Sequence, residues 1–206
     1  MTATTPEGAA ARAKAQLRAE RLAARRAVPT MIWQEWDEQR DARVLEQLTD
    51  VGTIATYLSL PAGGSRPEPG TLAVTEALWR RGHLVLAPVL SPTVDGARHD
   101  PDWARYDGPD RLRDGLWGIP EPTGPALGAA ALAQADVVLC SAMAVTLDGR
   151  RLGVGGGWFD RALAFARPDA LLVALVTDDD VVDALPTEPH DRTIDVIVTP
   201  TRTLHA

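Results

Sequence analysis

The first apolar pattern along the chain is helical. From about Ala10, Leu17 and Leu22 recur among alanines and arginines until Pro29, whose missing N–H stops the helix. Thr30 is placed to cap a second helix running to about Leu48, in which Ile32, Trp36, Val44 and Leu48 form a rough apolar stripe. The period then changes. VGTIATYLSL (51–60) is β-branched and mostly apolar, so it predicts a buried strand, and the loop PAGGSRPEPG follows it. TLAVTEALWRRG predicts a helix capped by Thr71 and stopped by Gly82, and LVLAPVL (84–90) predicts a second buried strand reached by a right-handed crossover. Residues 91–124 are rich in Pro, Gly, Asp and Trp and show no period, which predicts a long ordered loop with short extended pieces, covering a site. Beyond it, PALGAAALAQA predicts a helix, DVVLCSA a strand, FDRALAFA a helix, LLVALVT a strand and IDVIVTP a last strand. Strands alternating with helices predict a single α/β domain over residues 10–206. Its expected form is three-layer and Rossmann-like, a mostly parallel sheet of about five or six strands with helices on both faces, preceded by two N-terminal helices. Residues 1–9 are small and polar and predict a mobile start.

Composition narrows the function. A chain of 206 residues suits one domain with a full core, and no apolar run approaches the roughly 20 residues that cross a bilayer. The first 26 residues hold no apolar signal core, so a cytoplasmic protein is expected, working as a monomer. Cys140 is the only cysteine and reads as a small buried apolar residue. A net charge of -7 argues against a nucleic-acid or anionic-membrane surface, because both need a dominant positive field. The charge is uneven, however: Arg12, Lys14, Arg18, Arg21, Arg25 and Arg26 face only Glu20 within residues 11–26, a patch suited to a small anion.

The candidate chemistry centres on DGRRLGVGGGWFDRAL (148–163), where Gly153, Gly155, Gly156 and Gly157 precede a predicted helix. Such density means either a phosphate cradle of exposed amides or a tight turn, and both readings stand on spacing alone. The loop has neither Rossmann spacing nor a Walker lysine. Lys14, the single lysine among 21 basic residues, lies four before Arg18, so the two share a helix face and can meet one phosphate chain. A solvated basic face is the plainer alternative.

RLGVGGGWFDRAL resembles the RLG-x-G-x-G-x-YDR-x-L signature of 5-formyltetrahydrofolate cyclo-ligases. KAQLR (14–18), EPGT (68–71), GIPEPTGP (118–125) and LPTEPHD (185–191) are similar, in order, to four further motifs of that family. The resemblance implies ATP-dependent cyclisation of 5-formyltetrahydrofolate to 5,10-methenyltetrahydrofolate. The poor leaving oxygen of the formyl group is phosphorylated, N10 attacks, and ADP and phosphate are released. It also implies site roles. Lys14, Arg18 and Arg151, with Gly153, Val154, Gly155, Gly156, Gly157, Trp158 and Phe159, would hold the nucleotide, and Lys14, Arg151 and Asp160 would carry catalysis. Asp160 and Asp191 would hold Mg2+. Leu58, Glu68 and Trp117 would hold the folate, the carboxylate accepting from the pterin and the indole stacking on a ring. Asp160 as a helix cap, Asp191 as a turn former and Trp117 as plain packing remain alternatives, and His190 reads as a turn residue.

The chain departs from the family pattern at several positions. Ser141 and Thr146 stand where a proline and an aspartate are usual, Val154 replaces a polar residue, and Phe159 replaces tyrosine. The loop before Glu68 carries the extra PAGGSRP. Two further readings therefore stay open: a cyclo-ligase-like protein with altered substrate or lost catalysis, and a non-enzymatic α/β binding module.

Overall fold

The computed structural model describes residues 6–50, 52–60, 67–92, 100–186 and 192–206. Two helices come first, α1 (Pro6–Ala27) and α2 (Thr30–Gln47). α1 begins four residues before the apolar pattern does. The residue before α2 is Pro29 in extended conformation, so Thr30 opens the helix instead of capping it. The buried positions of α2 are Trp33, Arg40 and Val44, continued by Leu48, whereas Ile32 and Trp36 are only half-buried.

The strands of the main sheet are β1 (Thr53–Ala55), β2 (Leu84–Pro88), β3 (Trp103–Arg105), β6 (Val137–Ser141), β9 (Leu171–Leu175), β11 (Val196–Val198) and β12 (Thr203–His205), in the order β12-β11-β9-β6-β1-β2-β3. The four inner pairings are parallel, and only the edge strands β3 and β12 run antiparallel. Among the described residues this sheet has seven strands where about five or six were expected, because both antiparallel edges are three-residue pieces too short to show a period. Two smaller sheets pair β4 (Leu112–Asp114) with β5 (Pro120–Pro122), and β7 (Ala144–Thr146) with both β8 (Arg151–Leu152) and β10 (Val181–Val182).

Alternation along the parallel strands divides the core. Val137, Leu139, Val173 and Leu175 face α2 and α3 (Leu72–Arg80) through Val44, Leu48, Val74 and Leu78. Val138, Cys140, Leu172 and Ala174 face α4 (Trp158–Leu163) and a 3-10 segment, Ala129–Gln134. That is the three-layer arrangement, with the correction that PALGAAALAQA forms a 3-10 segment. Gly128 enters it at φ 81, and six residues without a charged face give an α-helix little to hold. Among the described residues no helix is long and apolar enough to cross a membrane.

Arg40 is fully buried in α2, ion-paired with Asp37, and lies 5.7 Å from the Trp33 ring. Burial pushes Asp41 up to about 7, the charges of Asp37 and Glu38 adding to it and Arg40 opposing it. One Asp41 carboxylate oxygen is buried and finds no partner among the described residues. A carboxyl raised in the folded state above its unfolded value of about 3.9 stabilises fully below that value, and loses this as pH rises through about 7. Asp41→Asn is therefore expected to stabilise the protein by on the order of 1–3 kcal/mol near pH 8 and to change little near pH 4. Thermal unfolding of both proteins across that range checks it, and parallel pH profiles would remove Asp41 as the cause.

Candidate functional site

The chain leaves β1 toward β2 on one side of the sheet and returns to β6 on the other side, going on to β9 and β11. The direction of winding therefore reverses between β1 and β6, and a crevice opens beyond their carboxyl ends, where ligands bind in sheets of this kind. The segment after β1 is tied down closely. The Tyr57 hydroxyl donates to Pro69 O at 2.9 Å and the Thr71 hydroxyl to Tyr57 O at 2.6 Å. Ser59 N donates to Thr71 Oγ1 at 3.1 Å, and Thr71 N to Ser59 Oγ at 3.0 Å. From α2, Asp37 accepts from Gly70 N at 2.8 Å. Thr71 thus precedes α3 as expected, but its hydroxyl binds the strand extension and not the helix. These bonds fix Glu68, whose carboxylate accepts from Leu60 N at 3.4 Å and from the Ser141 hydroxyl at 3.3 Å. Burial raises the Tyr57 phenol well above its ordinary value, and the nearby Glu68 charge adds to this.

Two cavities meet at Glu68. The larger, about 570 Å³, is lined by Arg18, Leu22, Arg25, Pro67 and Met143 among others. The smaller, about 280 Å³, is lined by Tyr57, Leu58, Ser141, Trp158, Phe159 and Arg161 among others. Glu68, Trp117, Ile119 and Val154 line both. Leu58 lies past the paired residues of β1, in its extended continuation and not on the strand. Trp117 is 74% exposed and has φ 61, the one non-glycine residue with positive φ among those described.

The glycine loop borders both cavities and is gripped from two sides. Arg18 of α1 donates through Nε to Gly153 O at 2.9 Å, and Arg161 of α4 donates to Gly156 O at 3.2 Å. Gly155 has φ 106, a conformation that residues with a side chain rarely adopt, so glycine sits there without strain. With these two carbonyls engaged, the N–H groups of Gly155, Gly156 and Gly157 meet no acceptor among the described residues. That is the donor array an anion needs. Arg151 lies beneath the loop: its side chain is 5% exposed, pairs with Asp160, and sits 5.8 Å from the Phe159 ring centroid. Phe159 in turn meets Tyr57 and Trp158 edge-on, so it packs the floor of the smaller cavity.

The structure therefore brings Arg18, Val154, Gly156, Trp158, Phe159, Leu58, Glu68 and Trp117 to one crevice. Lys14 is half-buried one turn before Arg18 on the same helix face, outside the residues lining the two cavities. Asp160 is exposed in the first turn of α4, after Gly157 rather than in the capping position. Asp191 and His190 lie outside the described residues. Among those described, no three His, Cys, Asp or Glu residues cluster to hold a metal. Thr146 uses its hydroxyl inside the β7–β8 turn, accepting from Arg150 N at 3.1 Å and pairing with Asp148, so this position closes a hairpin. Sequence reasoning missed Arg25, Arg161, Tyr57 and Met143 as cavity residues. Arg161 lies in the signature stretch itself, which was the available signal.

Comparison with known proteins gives a consistent result. The model of the 5-formyltetrahydrofolate cyclo-ligase family matches residues 10–200. A 5-formyltetrahydrofolate cyclo-ligase of Mycolicibacterium smegmatis is 36% identical over 192 residues, covering 93% of this chain and 95% of the relative. One from Escherichia coli is 29% identical over 181 residues, 86% of this chain and 95% of the relative. The 5,10-methenyltetrahydrofolate synthetase of Aquifex aeolicus shares the fold at a TM-score of 0.75 and 23% identity, covering 93% of this chain and 92% of that one. That of Mycoplasma pneumoniae does so at 0.67 and 19%, covering 91% and 98%.

Proposed function

The chain belongs to the 5-formyltetrahydrofolate cyclo-ligase family, and from that premise we propose how this crevice performs the family's reaction. The protein is a ligase that closes 5-formyltetrahydrofolate to 5,10-methenyltetrahydrofolate with conversion of ATP to ADP and phosphate. The observation that carries the site assignment is the loop Gly153–Gly157, with two carbonyls held by Arg18 and Arg161 and three amides left to donate, next to Glu68.

The two cavities take different parts of the reactants. The smaller holds the pterin, since Leu58, Glu68 and Trp117 all line it, and the Glu68 carboxylate accepts from the amino and ring N–H groups. The triphosphate follows the glycine loop, with Lys14 and Arg18 approaching from α1 as a point charge and a fork. Mg2+ keeps most of its water and needs only one or two protein carboxylates beside phosphate oxygens. The exposed Asp160 at the loop fits that demand, with Asp191 as the second ligand, and the metal would supply neutralisation of phosphate charge. Arg151, buried under the loop, holds Asp160 in place. Because the loop borders both cavities, the formyl oxygen and the terminal phosphate meet beside Val154 and Gly156, which is the proximity such a transfer needs. The same reading has the protein act in the cytoplasm as a monomer.

Purified protein incubated with 5-formyltetrahydrofolate should form the methenyl product only when MgATP is present. No ATP-dependent product would turn the reading toward a binding protein of altered substrate. Lys14→Ala and Asp160→Ala should each weaken nucleotide binding by roughly 10-fold, the size of one charge-assisted contact. Unchanged nucleotide affinity in both variants would move the nucleotide off this loop.

A further inference from the structure

Glu68 is a flexible side chain asked to present a fixed plane. The terminal torsion of a glutamate is broad, so a carboxylate that must accept two N–H groups in pairs needs something to stop its rotation. In this protein the stop comes from the end of β6. Ser141 is the last residue of that strand, 8% exposed, in register with Leu175 of β9. Its hydroxyl donates to Glu68 Oε2 at 3.3 Å while Leu60 N approaches Oε1 at 3.4 Å, so different partners hold the two oxygens.

The distance between the two residues is itself controlled. The buried Arg25 guanidinium donates to Ala142 O at 2.6 Å, the peptide next to Ser141, and to Pro67 O at 3.5 Å, the peptide next to Glu68. Arg25 is anchored by Asp180 at 2.8 Å. One cation therefore clamps both segments that carry the pair, and Ser141 and Glu68 line the smaller cavity together.

We propose that Ser141 is a positioning residue for Glu68, holding its carboxylate in the plane that accepts the paired N–H groups of the pterin. The inference rests on the reading of Glu68 as the folate carboxylate. Ser141 touches the reaction only through Glu68.

A double-mutant cycle on the full chain tests it, reading the dissociation constant of 5-formyltetrahydrofolate, that of ATP, and the unfolding midpoint. Ser141→Ala should weaken folate binding about 3- to 10-fold, the size of one hydrogen bond, leave ATP binding unchanged and lower the midpoint by no more than about 2–4 °C. Ser141→Thr, which keeps the hydroxyl, should recover most of that loss. In a Glu68→Ala background, Ser141→Ala should add nothing, because no carboxylate remains to be held. An equal loss in both backgrounds overturns the proposal, as does unchanged folate affinity in Ser141→Ala. If Glu68→Ala itself leaves folate affinity intact, it is the reading of Glu68 that fails.

Discussion

Arg25→Met is expected to destabilise the protein by about 3–5 kcal/mol, the effect of leaving one partner of a buried ion pair uncompensated. Arg25 and Asp180 are both 2% exposed. Asp180 accepts from Arg25 Nε at 3.1 Å and Nη2 at 2.8 Å, and also from Thr177 N and its hydroxyl. Removing the cation strands a carboxylate that water reaches poorly, and it also frees Ala142 O and loosens Pro67 O. The double variant Arg25→Met/Asp180→Asn should recover a large part of the loss, because the stranded charge is gone and methionine occupies most of the arginine stem's volume. Denaturant unfolding of the three proteins at one pH gives the comparison. Equal destabilisation in the single and double variants would show that the arginine acts through its carbonyl contacts alone and not through Asp180.

Arg25 also marks the boundary of what the sequence conveys. It is one of six basic residues in α1, and periodicity alone assigns all of them to solvent, as it does Arg40 in α2. Folding buries Arg25 because Asp180 and Ala142 O meet it, and Arg40 because Asp37 pairs with it inside α2 and Val176 O lies 3.5 Å away, and sequence pattern carries no trace of the three partners more than 100 positions distant. The same limit explains α2. Its buried side follows Trp33, Arg40, Val44 and Leu48, and counting only apolar residues shifts the stripe to Ile32 and Trp36. The parallel strands were legible because they are buried on both faces and therefore run apolar without interruption. The β7–β8 hairpin was not, since SAMAVT continues the apolar run of β6 and hides the break between β6 and β7 at residues 142–143. Within the site, motif order located Glu68, Trp117 and the glycine loop, whose residue types announce their chemistry. Ser141 entered only as a departure from a pattern, because a serine acquires meaning from the carboxylate it faces. The segment that carries Asp191 lies outside the described residues, so its pairing with Asp160 rests on the family resemblance.

Trp117→Gly should separate stability from binding, since the two are expected to move in different directions. Trp117 sits at φ 61 and ψ 18, followed by Gly118 at φ 76, with the turn closed by Gly118 N to Gly115 O at 3.1 Å and Ile119 N to Leu116 O at 3.2 Å. A side chain in the left-handed region costs about 1–2 kcal/mol, and glycine removes that strain while adding about 0.5–1 kcal/mol of unfolded-state entropy. Because the indole is 74% exposed, little packing is lost, and the unfolding free energy should stay level or rise by up to about 1 kcal/mol. Binding should suffer heavily. Covering on the order of 100 Å² of indole with a folate ring is worth about 2.5 kcal/mol, and ring stacking adds about 0.5–1.5 kcal/mol. Together these predict a loss of roughly 100-fold or more in affinity for 5-formyltetrahydrofolate, with nucleotide affinity little changed. A folate titration beside an unfolding curve decides the matter. Lost stability with intact folate affinity would make Trp117 a packing residue and would leave its backbone strain without a functional reason. Improved stability with lost affinity would show that the strained turn is kept for the ligand, since nothing in the folded chain alone benefits from it.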